Sequence, residues 1–279
     1  MELLRPESVE AAASALIGTG GVALAGGTEV VPLMREGILS PDTLVQITDV
    51  VPKGIRDGWI GGGTTLGELE VASEIPTVLR EACSLAASPQ LRAMGTIAGN
   101  LLQETRCWYW RLRFPCRLHG GDRCFAREGE HREHAIFAND FCASAHPSDV
   151  AAALHVLSTT VVTDRRRFPI AELYRLPTDD DRSTTTLQPG ELILELEHAT
   201  PAASTYLKAM DRSRYAFALV GVAAARSDTG TLLALTGVAP IPWVIESPAD
   251  LEKATPLPGN AYKLEIAEAL VRRAIEAIT

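Results

Sequence analysis

Four cysteines, Cys107, Cys116, Cys124 and Cys142, fall within 36 consecutive residues of a 279-residue chain, and a fifth, Cys83, stands apart. Thiols gathered at that density can hold zinc, hold an iron–sulfur cluster, or pack without a ligand as small hydrophobes. Disulfide stapling is disfavoured, because the number is odd and a chain this long builds a sufficient core without it. Eight, seven and seventeen residues separate the four, so no pair has the two-residue spacing of most structural zinc sites and ferredoxin repeats. Spacing alone leaves zinc, iron–sulfur and unligated thiols open. Cys83 lies in the apolar run 79–87 and reads as a packed core thiol.

The residues around the cysteines narrow the function. Seven arginines accompany Trp108, Tyr109 and Trp110, the ingredients of a single-strand binding patch, but Glu104, Asp122, Glu128, Glu130 and Glu133 cancel most of that charge. The whole chain carries 26 basic against 35 acidic residues, a net −9 that repels a phosphate backbone. No nucleic-acid partner is expected. His119, His131 and His134 lie among arginines and read as surface residues, none of them a ligand. With 46% hydrophobic and 22% charged residues the composition is that of a soluble globular protein, and no apolar run approaches the roughly 20 residues that cross a bilayer. No membrane partner is expected. The first sixteen residues carry acids where an export signal carries a basic flank, so the expected compartment is the cytoplasm, or the periplasm only if a partner subunit exports the complex.

Elements that would position these residues come next. The first half repeats a theme of short apolar run, glycine corner and helical segment. Residues 22–25 lead into Gly26-Gly27-Thr28-Glu29 and then Val30, Val31, Leu33 and Met34; Trp59-Ile60 leads into Gly61-Gly62-Gly63-Thr64, where Thr65 and Glu68 have capping-box spacing. Ala87-Ser88-Pro89 starts a turn or short helix, and residues 95–100 read as a loop before Leu101. Such corners expose backbone N–H groups to an anionic pyrophosphate, although any single one is also explained by a tight strand-to-helix turn. Neither a P-loop nor the Rossmann glycine pattern occurs. Residues 177–190 are rich in Asp, Thr, Ser, Pro and Gly, which places a boundary there. Beyond it, 192–197 alternate as a strand, 216–226 and 231–239 read as a hairpin turning at Ser227-Asp228-Thr229-Gly230, and Leu264, Ala267, Leu270, Val271, Ala274, Ile275 and Ile278 recur at helical spacing. The fold class is α+β, with domains at 1–176 and 177–279 and a cysteine-rich insertion at about 105–142.

Several ordered motifs carry a resemblance. Residues 25–29 (AGGTE), 87–92 (ASPQLR), 95–103 (GTIAGNLLQ) and 146–149 (HPSD) resemble the FAD-binding subunit of molybdenum hydroxylases, the medium-subunit group of xanthine and carbon monoxide dehydrogenases. The resemblance continues through 206–208 (YLK), 215–218 (YAFA), 237–240 (GVAP) and 256–263 (PLPGNAYK), covering nearly the whole chain in order. It implies a two-part FAD-binding domain of the PCMH type followed by a smaller domain of antiparallel sheet and helices. Within that family, Thr105 to Arg111 and the cysteine insertion resemble the branch with an extra [4Fe–4S] cluster, which implies Cys107, Cys116, Cys124 and Cys142 as its ligands.

Carried over by residue, the resemblance implies that Leu24, Ala25, Gly26, Gly27, Thr28, Glu29, Val30 and Val31 cradle the FAD pyrophosphate, and that Ser88, Thr96, Gly99 and Asn100 form a second cofactor loop. Asp149 would accept from a ribityl or adenosine hydroxyl, or alternatively favour a helix start; Lys208 and Leu192 would flank the flavin ring, with Tyr215 able to cover a face. Glu29 stands where aspartate is common, Ala98 replaces a glycine, and Val244 stands where arginine is usual. The implied function is electron transfer: a molybdopterin-binding large subunit hydroxylates substrate, a [2Fe–2S] small subunit relays electrons, and FAD on this chain delivers them to an external acceptor. No catalytic residue of this chain is implied. The alternatives are a zinc-stapled nucleotide-binding or scaffold protein and a self-sufficient FAD oxidoreductase.

Overall fold

The computed structural model describes residues 1–228 and 230–279. It opens with β1 (Glu2–Leu4), α1 (Val9–Thr19), β2 (Val22–Leu24), α2 (Val30–Arg35) and β3 (Thr43–Gln46). β3 lies between β1 and β2 and runs parallel to both, as helical crossovers require. The Ser8 hydroxyl accepts from Ala11 N at 3.1 Å to start α1, which buries Ala12 and Leu16 against Val45 and Leu192. Pro32 is tolerated in α2 because it sits in the first turn, where its missing N–H would have no partner.

β4 (Ile55–Arg56), β5 (Trp59–Gly61), α3 (Leu66–Val71), α4 (Thr77–Leu85), α5 (Pro89–Arg92) and α6 (Ile97–Leu101) follow. The expected capping box is present: Glu68 N donates to Thr65 Oγ1 at 3.2 Å and Thr65 N to Glu68 Oε2 at 2.8 Å. The stretch read as a loop over 95–100 is half helix, because the Thr96 hydroxyl accepts from Gly99 N at 3.2 Å and starts α6. Ser88 does the same for α5. The cysteine segment holds short turns, α7 (Trp108–Arg111), a 3-10 turn at Arg117–His119 and α8 (Phe125–Glu128), before α9 (Asp149–Val156).

β6 (Thr160–Thr163), β7 (Arg167–Pro169) and β8 (Ile193–Glu197) complete a five-stranded antiparallel sheet in the order β4-β5-β8-β6-β7. The boundary expected at 176/177 assigns 193–197 to the second part, yet β8 pairs with β5 on one side and β6 on the other. On strand pairing we place the division after Glu197. Residues 177–190 break the local composition without ending the sheet that resumes beyond them.

The second part is β9 (Ala203–Met210), β10 (Ala218–Ser227), β11 (Gly230–Thr236), β12 (Trp243–Ile245) and α10 (Tyr262–Ile278), an antiparallel sheet ordered β12-β11-β10-β9. Ser227 faces Gly230 across the expected hairpin; Thr229 of its turn lies outside the described residues. Val220, Val222, Ala224, Leu233 and Leu235 pack with Ala267, Leu270, Val271, Ala274 and Ile278 of α10. From the opposite face Tyr206, Ala223, Ala225 and Ala234 join a core that includes Val78, Leu79, Ala82, Val150 and Leu154 of α4 and α9. Cover on both faces explains why 220–225 lack polar alternation. The two parts therefore share a core, and their junction is fixed.

Candidate functional site

A cleft has two compartments that meet at Thr28, Glu29, Thr96 and Gly99, the first within the first part and the second on that junction. The first, about 370 Å³, is lined by Ala25, Gly26, Gly27, Val30, Leu192 and the apolar side chains of Val22, Ile47 and Leu102. The second, about 480 Å³, is lined by Ser88, Asn100, Asp149, Lys208, Tyr215 and Phe217. Of the cofactor residues expected from the sequence, Leu24 and Val31 line neither. Leu24 belongs to β2, where its carbonyl accepts from Ile47 N at 3.0 Å, and Val31 is exposed on the first turn of α2. Leu192 and Lys208, expected to flank one ring, line opposite compartments, because β8 belongs to the first sheet and β9 to the second.

Backbone contact between loops builds the point where the compartments meet. A Cβ on Gly26 would lie 1.7 Å from Met94 O, so the loops before α2 and before α6 touch main chain to main chain. Among the described residues, the N–H groups of Gly26, Gly27 and Thr28 donate to no other residue. Unpartnered amides at a corner without side-chain obstruction suit an anionic diphosphate. The second loop is braced from behind: the Ser148 hydroxyl, which caps α9, donates to Asn100 Oδ1 at 2.6 Å.

The second compartment holds a buried charge pair. Lys208 Nζ lies 2.7 Å from Asp149 Oδ2, with side chains 1% and 3% exposed, and also donates to Leu85 O at 3.0 Å. The Tyr206 hydroxyl donates to Asp149 Oδ1 at 2.5 Å. Burial raises the Asp149 carboxyl, opposed by Lys208 and by the Tyr206 hydrogen bond. Asp149 does open α9, but its carboxylate is committed to Lys208 and Tyr206 rather than to the helix end. Lys208 is not a solvated side chain. Tyr206 was not singled out from sequence; its place two residues before Lys208 on one strand puts both on the same face, a signal the alternation of β9 contains.

Glu29 ties the glycine corner to the cysteine segment. Its carboxylate meets Arg106 at 2.5 Å and Arg111 at 2.8 Å and accepts from Glu104 N at 3.1 Å. The longer side chain at this position, where the resemblance anticipates aspartate, supplies the reach. No local pattern marks these partners, which lie 77 and 82 residues along the chain.

Cys107, Cys116, Cys124 and Cys142 all line one small cavity walled by Tyr109, Trp110, Leu118 and Phe125. Cys107 also lines a further space of about 310 Å³, which shares Arg106, Arg212, Tyr215 and Phe217 with the Lys208 compartment. Three neighbouring spaces with shared lining residues therefore lie between the glycine corner and Cys107. A hydrogen bond from Cys142 lowers the Cys124 thiol to about 5, while Cys142 is held well above its usual value by the same bond and by burial. Burial pushes Cys107 up to about 11. A tetrahedral zinc site needs sulfurs about 3.8 Å apart, from the Zn–S length. Among the described residues no three His, Cys, Asp or Glu side chains close on a single ion in that way. Four thiols around one apolar cavity are, as a donor set, those of a soft metal centre, zinc or iron–sulfur. Cys83 is buried in the core under α9 as expected, its thiol raised by burial.

Of the three histidines expected at the surface, His119 is exposed, His131 is half-buried and His134 is buried. His119 Nε2 pairs with Trp110 O at 2.9 Å and stacks on that indole, and His131 bridges Ala126 O and Gly259 N. His134 is 3% exposed, with Nε2 3.2 Å from Cys107 Sγ, and burial lowers it to about 4.

Residues 1–197 match the FAD binding domain in molybdopterin dehydrogenase. The chain belongs to this family. It is 37% identical to the aldehyde oxidoreductase FAD-binding subunit PaoB of Escherichia coli (strain K12), over 85% of this chain and 81% of that protein. It is also 37% identical to the carbon monoxide dehydrogenase medium chain of Afipia carboxidovorans, over 34% and 37% of the two chains. Its fold matches a carbon monoxide dehydrogenase structure from Hydrogenophaga pseudoflava with a TM-score of 0.73 at 22% identity, covering 100% of this chain and 96% of the other. The PCMH-like, mixed helix and sheet fold expected from sequence is thus the observed one, and the chain is an oxidoreductase FAD-binding subunit. Among the described residues no helix is long and apolar enough to cross a membrane.

Proposed function

We propose that this chain is the electron-transfer subunit of a molybdopterin-dependent oxidoreductase, holding FAD in the junction cleft and a [4Fe–4S] cluster on Cys107, Cys116, Cys124 and Cys142. The observation that carries the reading is the row of adjoining spaces, each sharing lining residues with the next, from the glycine corner past Lys208 to Cys107. The free amides of Gly26, Gly27 and Thr28 would bind the pyrophosphate, with Thr96, Gly99 and Asn100 opposite. The apolar compartment beside Leu192 would take the adenosine end, and the Asp149–Lys208 compartment the isoalloxazine end. When bound, FAD supplies exchange between one-electron and two-electron carriers, and the cluster supplies a one-electron site.

The chain's own residues prepare both places. Asp149 and Tyr206 fix the Lys208 ammonium at one wall, where a cation favours negative charge on a neighbouring ring. Tyr215 and Phe217 cover the compartment from the loop between β9 and β10, and Arg106 lies over the Phe217 ring at 5.0 Å. Tyr109, Trp110, Leu118 and Phe125 form apolar walls around the four cysteines. The similarity to PaoB and to the carbon monoxide dehydrogenase medium chain supports two partners, a molybdopterin-binding large subunit and a [2Fe–2S] small subunit, with an external electron acceptor downstream. Cys116→Ser in the anaerobically purified complex tests the ligand set: the [4Fe–4S] paramagnetic signal is lost while FAD stays. Zinc in place of iron, or iron unchanged by the substitution, overturns the cluster assignment.

A further inference from the structure

We propose that His134 donates a hydrogen bond to the Cys107 sulfur and thereby raises the reduction potential of the cluster, an inference that rests on the cluster reading above. His134 Nε2 lies 3.2 Å from Cys107 Sγ. A thiolate bound to iron carries no proton, so the hydrogen in that contact belongs to the imidazole. The other sulfurs have different company: Ala143 N approaches Cys124 Sγ at 3.5 Å, and Ser144 Oγ lies 3.3 Å from Cys142 Sγ. Cys107 is the cysteine that lines both the thiol cavity and the space adjoining the Lys208 compartment, so the imidazole acts on the ligand nearest that compartment.

The contact is held from two directions. The Trp108 ring packs edge-on against the imidazole with centroids 4.7 Å apart. The His134 carbonyl accepts from Lys263 Nζ at 3.0 Å and from Asn260 Nδ2 at 3.1 Å, and Lys263 also binds Glu133 O and Gly237 O at 2.7 Å. Lys263 opens α10, so the C-terminal helix fixes the placement of an imidazole that acts on the insertion in the first part. Reduction adds negative charge to a cluster and its sulfurs. A buried N–H donor therefore stabilises the reduced form more than the oxidised one. His134 is a positioning residue that acts through Cys107.

The test is a paramagnetic-resonance redox titration of the intact complex carrying His134→Phe or His134→Gln. For His134→Phe the ratio of reduced to oxidised cluster at a fixed potential falls about tenfold, equal to a midpoint about 59 mV lower for a one-electron couple. His134→Gln keeps an N–H donor and recovers most of the shift, and neither variant changes the FAD content. In wild-type complex with ¹⁵N-labelled histidine, the reduced cluster shows hyperfine coupling to a nitrogen and to an exchangeable proton. That measurement decides the matter if a variant loses its iron. An unchanged midpoint in His134→Phe with the cluster intact, or a wild-type cluster without both couplings, overturns the inference. A wild-type complex without the [4Fe–4S] signal refutes instead the reading on which it rests, and iron analysis shows this before any potential is measured.

Discussion

Replacing Lys208 with methionine removes the cation from the second compartment, the one proposed for the flavin ring, at nearly constant volume. Asp149, 3% exposed, then keeps only the Tyr206 hydroxyl as a partner. Breaking one side of a buried ion pair costs about 3–5 kcal/mol, because the remaining charge is desolvated and uncompensated. Burial already raises the Asp149 carboxyl, and loss of Lys208 raises it further. The folded variant then holds a proton that the unfolded chain releases above its ordinary value of 3.8. Where the folded state binds more protons, stability falls as pH rises, so the loss is largest at neutral pH and shrinks on acidification toward that value. Adding Asp149→Leu removes both charges and restores stability to within about 1–3 kcal/mol, the cost of leaving the Tyr206 hydroxyl without its acceptor. FAD affinity stays low in the double variant, because the cation is still missing. Urea midpoints across pH, with FAD binding followed by flavin fluorescence, separate the two effects. A single variant that loses under about 1 kcal/mol at pH 7, or whose deficit grows on acidification, refutes the reasoning.

Gly26→Ala forces the two cofactor loops apart by more than an ångström and weakens FAD binding about 10- to 100-fold, the worth of one charge-assisted hydrogen bond, whereas Gly27→Ala meets nothing closer than 3.4 Å and costs about 1–2 kcal/mol of left-handed backbone strain; equilibrium flavin titration distinguishes them, and equal affinities in Gly26→Ala and wild type would count against the cradle. Glu29→Gln removes the negative charge that bridges Arg106 and Arg111, so hydrogen exchange over 104–111 quickens while β10 and α10 stay protected; uniform exchange would show that the bridge holds nothing. Lys263, lowered to about 7 by burial against an ordinary value of 10.5, binds fewer protons folded than unfolded between those values. Wild type therefore gains stability relative to Lys263→Met as pH rises from 7 to 10, and a gap that narrows over that range contradicts the assignment.

Local signals in the sequence were read well where a short pattern carries its own physical cause. Thr65 with Glu68 closes a capping box, and the periodicity of 264–278 forms α10 with the expected residues inward. The loop before Leu101 was half misread, since Thr96 is as good a cap as Thr65 but lacks the reciprocal glutamate. A boundary near residue 177 follows from composition, which reports local chain preference, while the placement after Glu197 follows from strand pairing, since β8 is claimed by partners more than thirty and a hundred residues away. The same non-locality separated Leu192 from Lys208. Within the site, the glycine corner and the cysteines were legible as residue types at telling positions. The Glu29 bridges, the Tyr206–Asp149–Lys208 network and the His134–Cys107 contact were not, because each joins segments that only folding brings together.

The cleft proposed to hold FAD lies beside the cavity that the four cysteines line. The most direct test of that proposal is the FAD, iron and acid-labile sulfide content of the anaerobically purified complex, wild type against Cys116→Ser. The expected result is one FAD for each copy of this chain in both proteins, with the iron and sulfide of one [4Fe–4S] cluster missing from the variant. A wild-type complex that releases no flavin on denaturation, or a variant with undiminished iron, would contradict it.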